Sequence, residues 1–148
     1  MHQVLYTLQF TGSAAPANDQ GTVLKAKTTA NSCAIKTTVG ASGVSGNVSQ
    51  APGDAAEFES EVTITGDSTF QEAGTITFGG NNVIHFSTVG AGYLGGSADP
   101  KLKHGSVIWK VDRGEGQFAG ATGLITSNFF VSDKGEVIDN HFGVLFVK

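Results

Sequence analysis

Cysteine and proline are nearly absent from this chain, and each shortage narrows its class. Cys33 is the only cysteine, so no intrachain disulfide can form and the logic of a small secreted scaffold stapled by cystines does not apply. Between Ser32 and Ala34 it reads as a buried or half-buried inert thiol; a nucleophilic role would need a histidine delivered by the fold. Three prolines in 148 residues leave most of the chain free to extend and pair. Long apolar runs are missing too: nothing approaches the ~20 consecutive apolar residues of a membrane-spanning helix. The opening Met1-His2-Gln3-Val4 carries no basic or apolar leader. No membrane partner and a cytoplasmic location are expected. Positive charge is sparse, with nine Lys and Arg against thirteen Asp and Glu and a net charge of -4. The cations are scattered, so no field attracts phosphates and nucleic acid is not an expected partner. No G-x-S-x-G, H-E-x-x-H, C-x-x-C, phosphate loop or dinucleotide fingerprint occurs, which removes support from the common hydrolase and nucleotide chemistries. No cofactor is expected.

What is abundant points one way. Twenty-one glycines and ten phenylalanines, with many Thr and Val, suit short strands joined by tight turns. The chain length fits one domain, residues 1–148, around one core. Residues 4–10 alternate, with Val4, Tyr6, Leu8 and Phe10 on one face. Residues 11–20 are loop-like, residues 22–29 form a second β segment and residues 32–39 a weaker third. Residues 40–55, rich in glycine and serine with Pro52, are too polar for a core element and are expected to be a long surface loop, either a lid or disordered. Residues 58–66 alternate cleanly, turning Glu59 and Glu61 to solvent. Residues 69–79 set Phe70, Glu72, Gly74, Ile76 and Phe78 on one face. A tight turn at Asn81-Asn82 leads into residues 83–89, and residues 90–105 read as a second long loop. In the last segment, residues 136–147, the even positions Ile138, Asn140, Phe142, Val144 and Phe146 form an apolar stripe broken only by Asn140.

The stretch 106–132 organises the rest. Two β-rich segments flank a corner punctuated by Gly114, Gly116, Gly120 and Gly123, with Phe118 its only large apolar residue. Glycine permits close backbone approach there, and one aromatic can plug the end of a barrel. Trp109 is expected in the core. With eight to ten strands, no helix and no repeat, the fold class is all-β, and an antiparallel sheet of that size removes its edges by closing into a barrel of about eight strands.

The string Gly114-x-Gly116-x-Phe118-x-x-Ala121-x-Gly123 resembles the glycine corner of the allene oxide cyclase-like barrel superfamily, to which dirigent proteins and several bacterial families belong. Residues 72–79 with Ile84-His85-Phe86-Ser87 are similar to the strand pair before that corner. The resemblance covers about half the chain, from Glu72 onward. It implies an eight-stranded antiparallel barrel, an apolar cavity in its mouth and often a homotrimer. It also implies activities ranging from cyclising an epoxide-bearing fatty acid to steering the radical coupling of phenols. The cyclase's catalytic residues fall where no motif matches, so none is carried over.

Four residues are candidate ligand contacts. Glu72 shares a face with Phe70, Ile76 and Phe78; inside a barrel its carboxyl would be desolvated and could act as acid, base or anchor, unless a bulge at Gly74 turns it outward. Asn140 interrupts an apolar stripe and either binds a ligand or satisfies a backbone group. Tyr6 offers a phenol to the cavity or a core ring with its hydroxyl at the rim. His85, between Ile84 and Phe86, is compatible with either face. Asp139 and His141 lie two apart on one strand face, but two ligands do not make a metal site. The leading expectation is a barrel that binds a small apolar molecule in its mouth. The alternatives are an isomerase or cyclase acting on a fatty-acid-epoxide-like or phenolic substrate, and a non-catalytic homo-oligomeric assembly protein, dimer or trimer.

Overall fold

Alternation between apolar and polar side chains is a template for strands with one wet face, and the chain uses it almost throughout. The computed structural model describes residues 1–148 and contains eleven strands: β1 (His2–Pro16), β2 (Val23–Ala30), β3 (Cys33–Gly40), β4 (Gly43–Gln50), β5 (Ala56–Ile64), β6 (Thr69–Phe78), β7 (Val83–Thr88), β8 (Gly92–Gly96), β9 (Leu102–Glu115), β10 (Thr122–Ser132) and β11 (Glu136–Val147). One 3-10 turn, Gly116–Phe118, is the only helical element. No helix is long and apolar enough to cross a membrane.

Eight strands close into an antiparallel barrel in the order β1-β2-β5-β6-β7-β9-β10-β11, with β11 returning to β1. Closure leaves no free edge. β7 is short and stops before one rim; there β8 fills the gap, pairing with the start of β6 and with β9. The hairpin between β6 and β7 turns through Gly79 and Gly80, with Asn82 N–H bonded to Gly79 O, as the sequence indicated.

The barrel interior is an aromatic layer between two different ends. Phe10, Phe58, Phe86 and Trp109 are fully buried, with ring centroids 4.5 Å apart for Phe86 and Trp109 and 5.4 Å for Phe58 with either. One end is closed: Phe118, carried on the 3-10 turn of the glycine corner, is buried against Phe78 at 5.2 Å, and Tyr6 packs edge-on to Phe78 at 5.1 Å. The corner is therefore the plug of the barrel. The other end is open.

Three stretches differ from their sequence reading. Residues 40–50 are not a loop; together with residues 33–39 they form the β3–β4 hairpin, a separate two-stranded arm, and only residues 51–55 are irregular. Low hydrophobicity excluded a core element, and the arm lies outside the core: every residue of it but Cys33 is exposed. β1 runs on to Pro16, because its end pairs with β2 from Thr11↔Thr29 to Pro16↔Leu24. Residues 90–105, expected to be all loop, contain β8 and the start of β9.

The arm is expected to be dispensable to the barrel. β2 and β5 pair directly up to Ala30↔Ala56, so residues 31–55 are an excursion between register partners. Replacing them with a two-residue Asn-Gly turn, which suits such a hairpin, is expected to leave the near-ultraviolet circular dichroism of Trp109 unchanged and to shift unfolding by under about 1 kcal/mol, as for other exposed loops.

Candidate ligand-binding site at the open end of the barrel

At the open end the strand ends surround a cavity of about 470 Å³, within the size range of small-molecule sites. Its walls are mostly apolar: Leu24, Ala26, Val62, Ile64, Leu94 and Val131, with Phe70 and Phe129 facing each other edge to face at 5.9 Å. Both rings lie against glycine. A Cβ at Gly92 would sit 2.3 Å from the Phe70 ring and one at Gly105 2.4 Å from the Phe129 ring. The two glycines thus hold the aromatic walls back and keep the cavity open. At the mouth stand the exposed Lys103, Asp133 and Lys134.

The floor is polar. Glu72, Asp139 and Thr28 line it, and each is buried, at 8%, 6% and 2% exposure. Each acid is bonded to a serine on the neighbouring strand: Ser60 Oγ donates to Glu72 Oε2 at 2.6 Å, and Ser127 Oγ to Asp139 Oδ1 at 2.6 Å. His141 Nε2 lies 2.9 Å from Asp139 Oδ2 and is the donor, since a carboxylate only accepts. Burial pushes the Glu72 carboxyl up to about 8; the Ser60 hydrogen bond restrains the rise and the Asp139 charge adds to it. The Trp109 indole N–H is near enough to restrain it further, but it makes no hydrogen bond. Tyr6 O–H, Thr28 Oγ1 and His141 Nδ1 are also buried without a protein partner. Of these, Thr28 Oγ1 lines the cavity and is open to a partner there.

Of the four sequence candidates, Glu72 points inward and lines the cavity floor. Gly74 makes no bulge, since β5 and β6 stay in unbroken register from Ala56↔Phe78 to Ile64↔Phe70. Tyr6 lies inside the barrel on the closed side, away from the cavity walls. Burial, and then the negative charge of Asp139, push its phenol well above the usual range. Asn140 is turned the other way from the sequence reading. On β11 the odd residues Val137, Asp139, His141, Leu145 and Val147 are buried, while Ile138, Phe142 and Phe146 are exposed. Asn140 therefore faces outward, where its Oδ1 accepts from Gln9 Nε2 at 3.0 Å. His85 also faces outward: its Nε2 is 2.9 Å from Glu115 Oε1, which Arg113 Nη1 reaches at 3.2 Å. The His85 hydrogen bond, with the Arg113 guanidinium beside it, holds the Glu115 carboxyl below its usual range. Neither residue touches the cavity.

Sequence reasoning missed Ser60, Ser127 and Thr28 altogether and saw Asp139 and His141 only as a pair. Their signal was positional. Ser60 lies between Phe58 and Val62, and Ser127 between Ile125 and Phe129, each on the inward parity of its strand. No group of three or more His, Cys, Asp or Glu side chains is placed to hold a metal ion.

Fold and site together define a closed eight-stranded antiparallel barrel with a ligand-sized apolar cavity over an acidic floor. No protein-family model, curated protein or solved structure matches the chain.

Proposed function

We propose that the protein binds a small, largely apolar molecule in the open end of its barrel. The observation that carries this reading is the cavity of about 470 Å³ with apolar walls and three buried polar groups converging at its floor, the usual make-up of a small-molecule site. The neutral aromatic probe N-phenyl-1-naphthylamine is expected to brighten on binding, to quench the single Trp109 and to be displaced by extracted cell lipids. Ala26→Trp, which fills the cavity from its wall, is expected to weaken binding at least tenfold. Equal binding by this variant, or none by the parent, counts against the reading.

A second reading, an isomerase or cyclase, draws support from the Glu72 carboxyl, which burial raises to about 8 at the floor of a cavity it shares with a second carboxyl, Asp139, since a raised acid in a cleft suits acid/base work. The corner motif's likeness to allene oxide cyclase-like barrels leans the same way and makes fatty-acid epoxides and phenols the first substrates to try. Turnover lost in Glu72→Gln would separate catalysis from binding.

Self-association has separate support on the outer wall. Leu5, Leu124, Phe142 and Phe146 are exposed there, and Leu5 and Leu124 flank Val144 in register. The outer faces of β2 and β5 instead pair Lys25 with Glu61 and Lys27 with Glu59. Apolar surface concentrated on one wall suits a second copy of the chain. Sedimentation is expected to show a dimer or trimer that Phe142→Glu converts to monomer.

A further inference from the structure

The floor of the cavity has a chemistry that an all-apolar ligand cannot satisfy. A methyl group driven down to it would set Glu72, Asp139 and the unpartnered Thr28 Oγ1 against hydrocarbon, and polar groups that gain no partner from the ligand oppose its binding. The occupant must be polar at its inner end. Each floor residue still has acceptor capacity. Glu72 Oε2 takes the Ser60 hydrogen, leaving Oε1 unbonded. Asp139 accepts one hydrogen on each oxygen, and a carboxylate has room for about four. Thr28 Oγ1, buried at 2% exposure and lining the same cavity, has no partner. No Lys or Arg reaches this depth, and the only cations lining the cavity, Lys103 and Lys134, are exposed at the mouth beside Asp133.

We infer that the floor is a subsite for a primary ammonium group, with Glu72, Asp139 and Thr28 Oγ1 accepting its three N–H bonds and the apolar walls holding its alkyl or aryl tail. The inference rests on the cavity being a ligand site and adds the class of ligand. Three donors meet three acceptors, and Phe58 and Phe70 line the same cavity, aromatic rings being favourable neighbours for a cation. A carboxylate ligand could sit at the lysines of the mouth, but its tail would then press on the floor.

The pH dependence has a definite sign. Glu72 is faced by Ser60 of β5, Thr28 of β2, Trp109 of β9 and Asp139 of β11; His141 and Tyr6 adjoin Asp139, and Lys103, Asp133 and Lys134 stand at the mouth. Below about pH 8 Glu72 holds a proton that an ammonium must displace. Amine affinity is therefore expected to climb with pH, by up to about tenfold per unit below pH 8, through the linkage of binding to loss of one proton. It falls again only near pH 10, where an alkylamine loses its own charge.

The test compares n-octylamine, n-octanol and n-octanoate, matched in tail, by Trp109 quenching and titration calorimetry between pH 6 and 9. Octylamine is expected to bind at least tenfold tighter than octanol at pH 8.5, to release a proton on binding at pH 7, and to lose that advantage in Glu72→Gln. Thr28→Val, nearly isosteric, is expected to weaken the amine severalfold and leave octanol unchanged. If octanol binds as tightly as octylamine, or the amine's preference is flat with pH or survives Glu72→Gln, the ammonium subsite is overturned while the cavity remains a ligand site. If none of the three binds, both fall.

Discussion

Replacing Glu72 by Gln is expected to make the protein markedly more stable at pH 9 and to change it little at pH 5. In the unfolded chain the carboxyl titrates near 4.5; in the barrel it titrates at about 8. Between those values the folded state holds a proton that the unfolded state has released, so stability falls as pH rises through the window, and the full loss is reached above pH 8. The difference between the two values corresponds to on the order of 5 kcal/mol. Glutamine keeps an oxygen for the Ser60 hydroxyl and has no charge to desolvate, so the variant escapes this loss. Urea unfolding at pH 5, 7 and 9 measures it: the gap between variant and parent should widen steadily with pH. The same experiment on Glu59→Gln, a solvent-facing carboxyl on β5, should show no such trend. A gap that stays constant with pH would mean that Glu72 is hydrated in the folded protein.

Asp139→Ala is expected to be the most damaging single change in the interior. The aspartate is the acceptor for both Ser127 Oγ and His141 Nε2, and His141 is enclosed by Phe10, Phe58 and Trp109, with ring centroids at 4.3, 5.5 and 5.0 Å. Truncation strands two buried donors, Ser127 at 1% and His141 at 2% exposure, a loss of about 3–5 kcal/mol. At about 2–4 °C per kcal/mol for a domain of this size, the melting temperature should fall by roughly 10 °C or more. The acid also contributes to the raised affinity of Glu72 for its proton. In the Asp139→Ala background, the gain from Glu72→Gln at pH 9 should therefore shrink. A double-mutant cycle reads that coupling directly, and strict additivity would show that the two acids do not sense each other.

The fold was legible wherever one face of a strand is apolar and the other is not. β5 and β6 follow that rule, which is why Phe58, Glu72 and Ile76 could be assigned to the interior, and the glycine corner announced its plug because Phe118 is the one bulky apolar residue among four glycines. β11 broke the rule in a way that periodicity cannot detect. Its inward face carries Asp139 and His141, while its outward face carries Ile138, Phe142 and Phe146. Reading the richer stripe as the inner one reversed Asn140. A strand whose inward face carries polar side chains and whose outward face is apolar inverts the inference from hydrophobicity to depth. Of the β3–β4 arm, residues 32–39 were legible as a weak β segment, and β4 was missed for a related reason. This Gly- and Ser-rich strand needs only β3 for backbone pairing, so no core-facing pattern marked it. His85 lay beyond reach because its orientation depends on the register shift between His85 and Phe86 opposite β9, a local irregularity that alternation does not encode.

The seam between β1 and β11 joins the two strands farthest apart in sequence, from His2↔Val147 to Ser13↔Glu136. On a ribosome, β1 waits with an open flank until β11 has emerged, and the compartment above Glu72 does not exist until that moment. Synthesis of every strand between them precedes closure, and contacts of such long sequence separation form slowly. During that wait β1 exposes both Phe10 and an unpaired strand edge, which makes it the segment most in need of a chaperone.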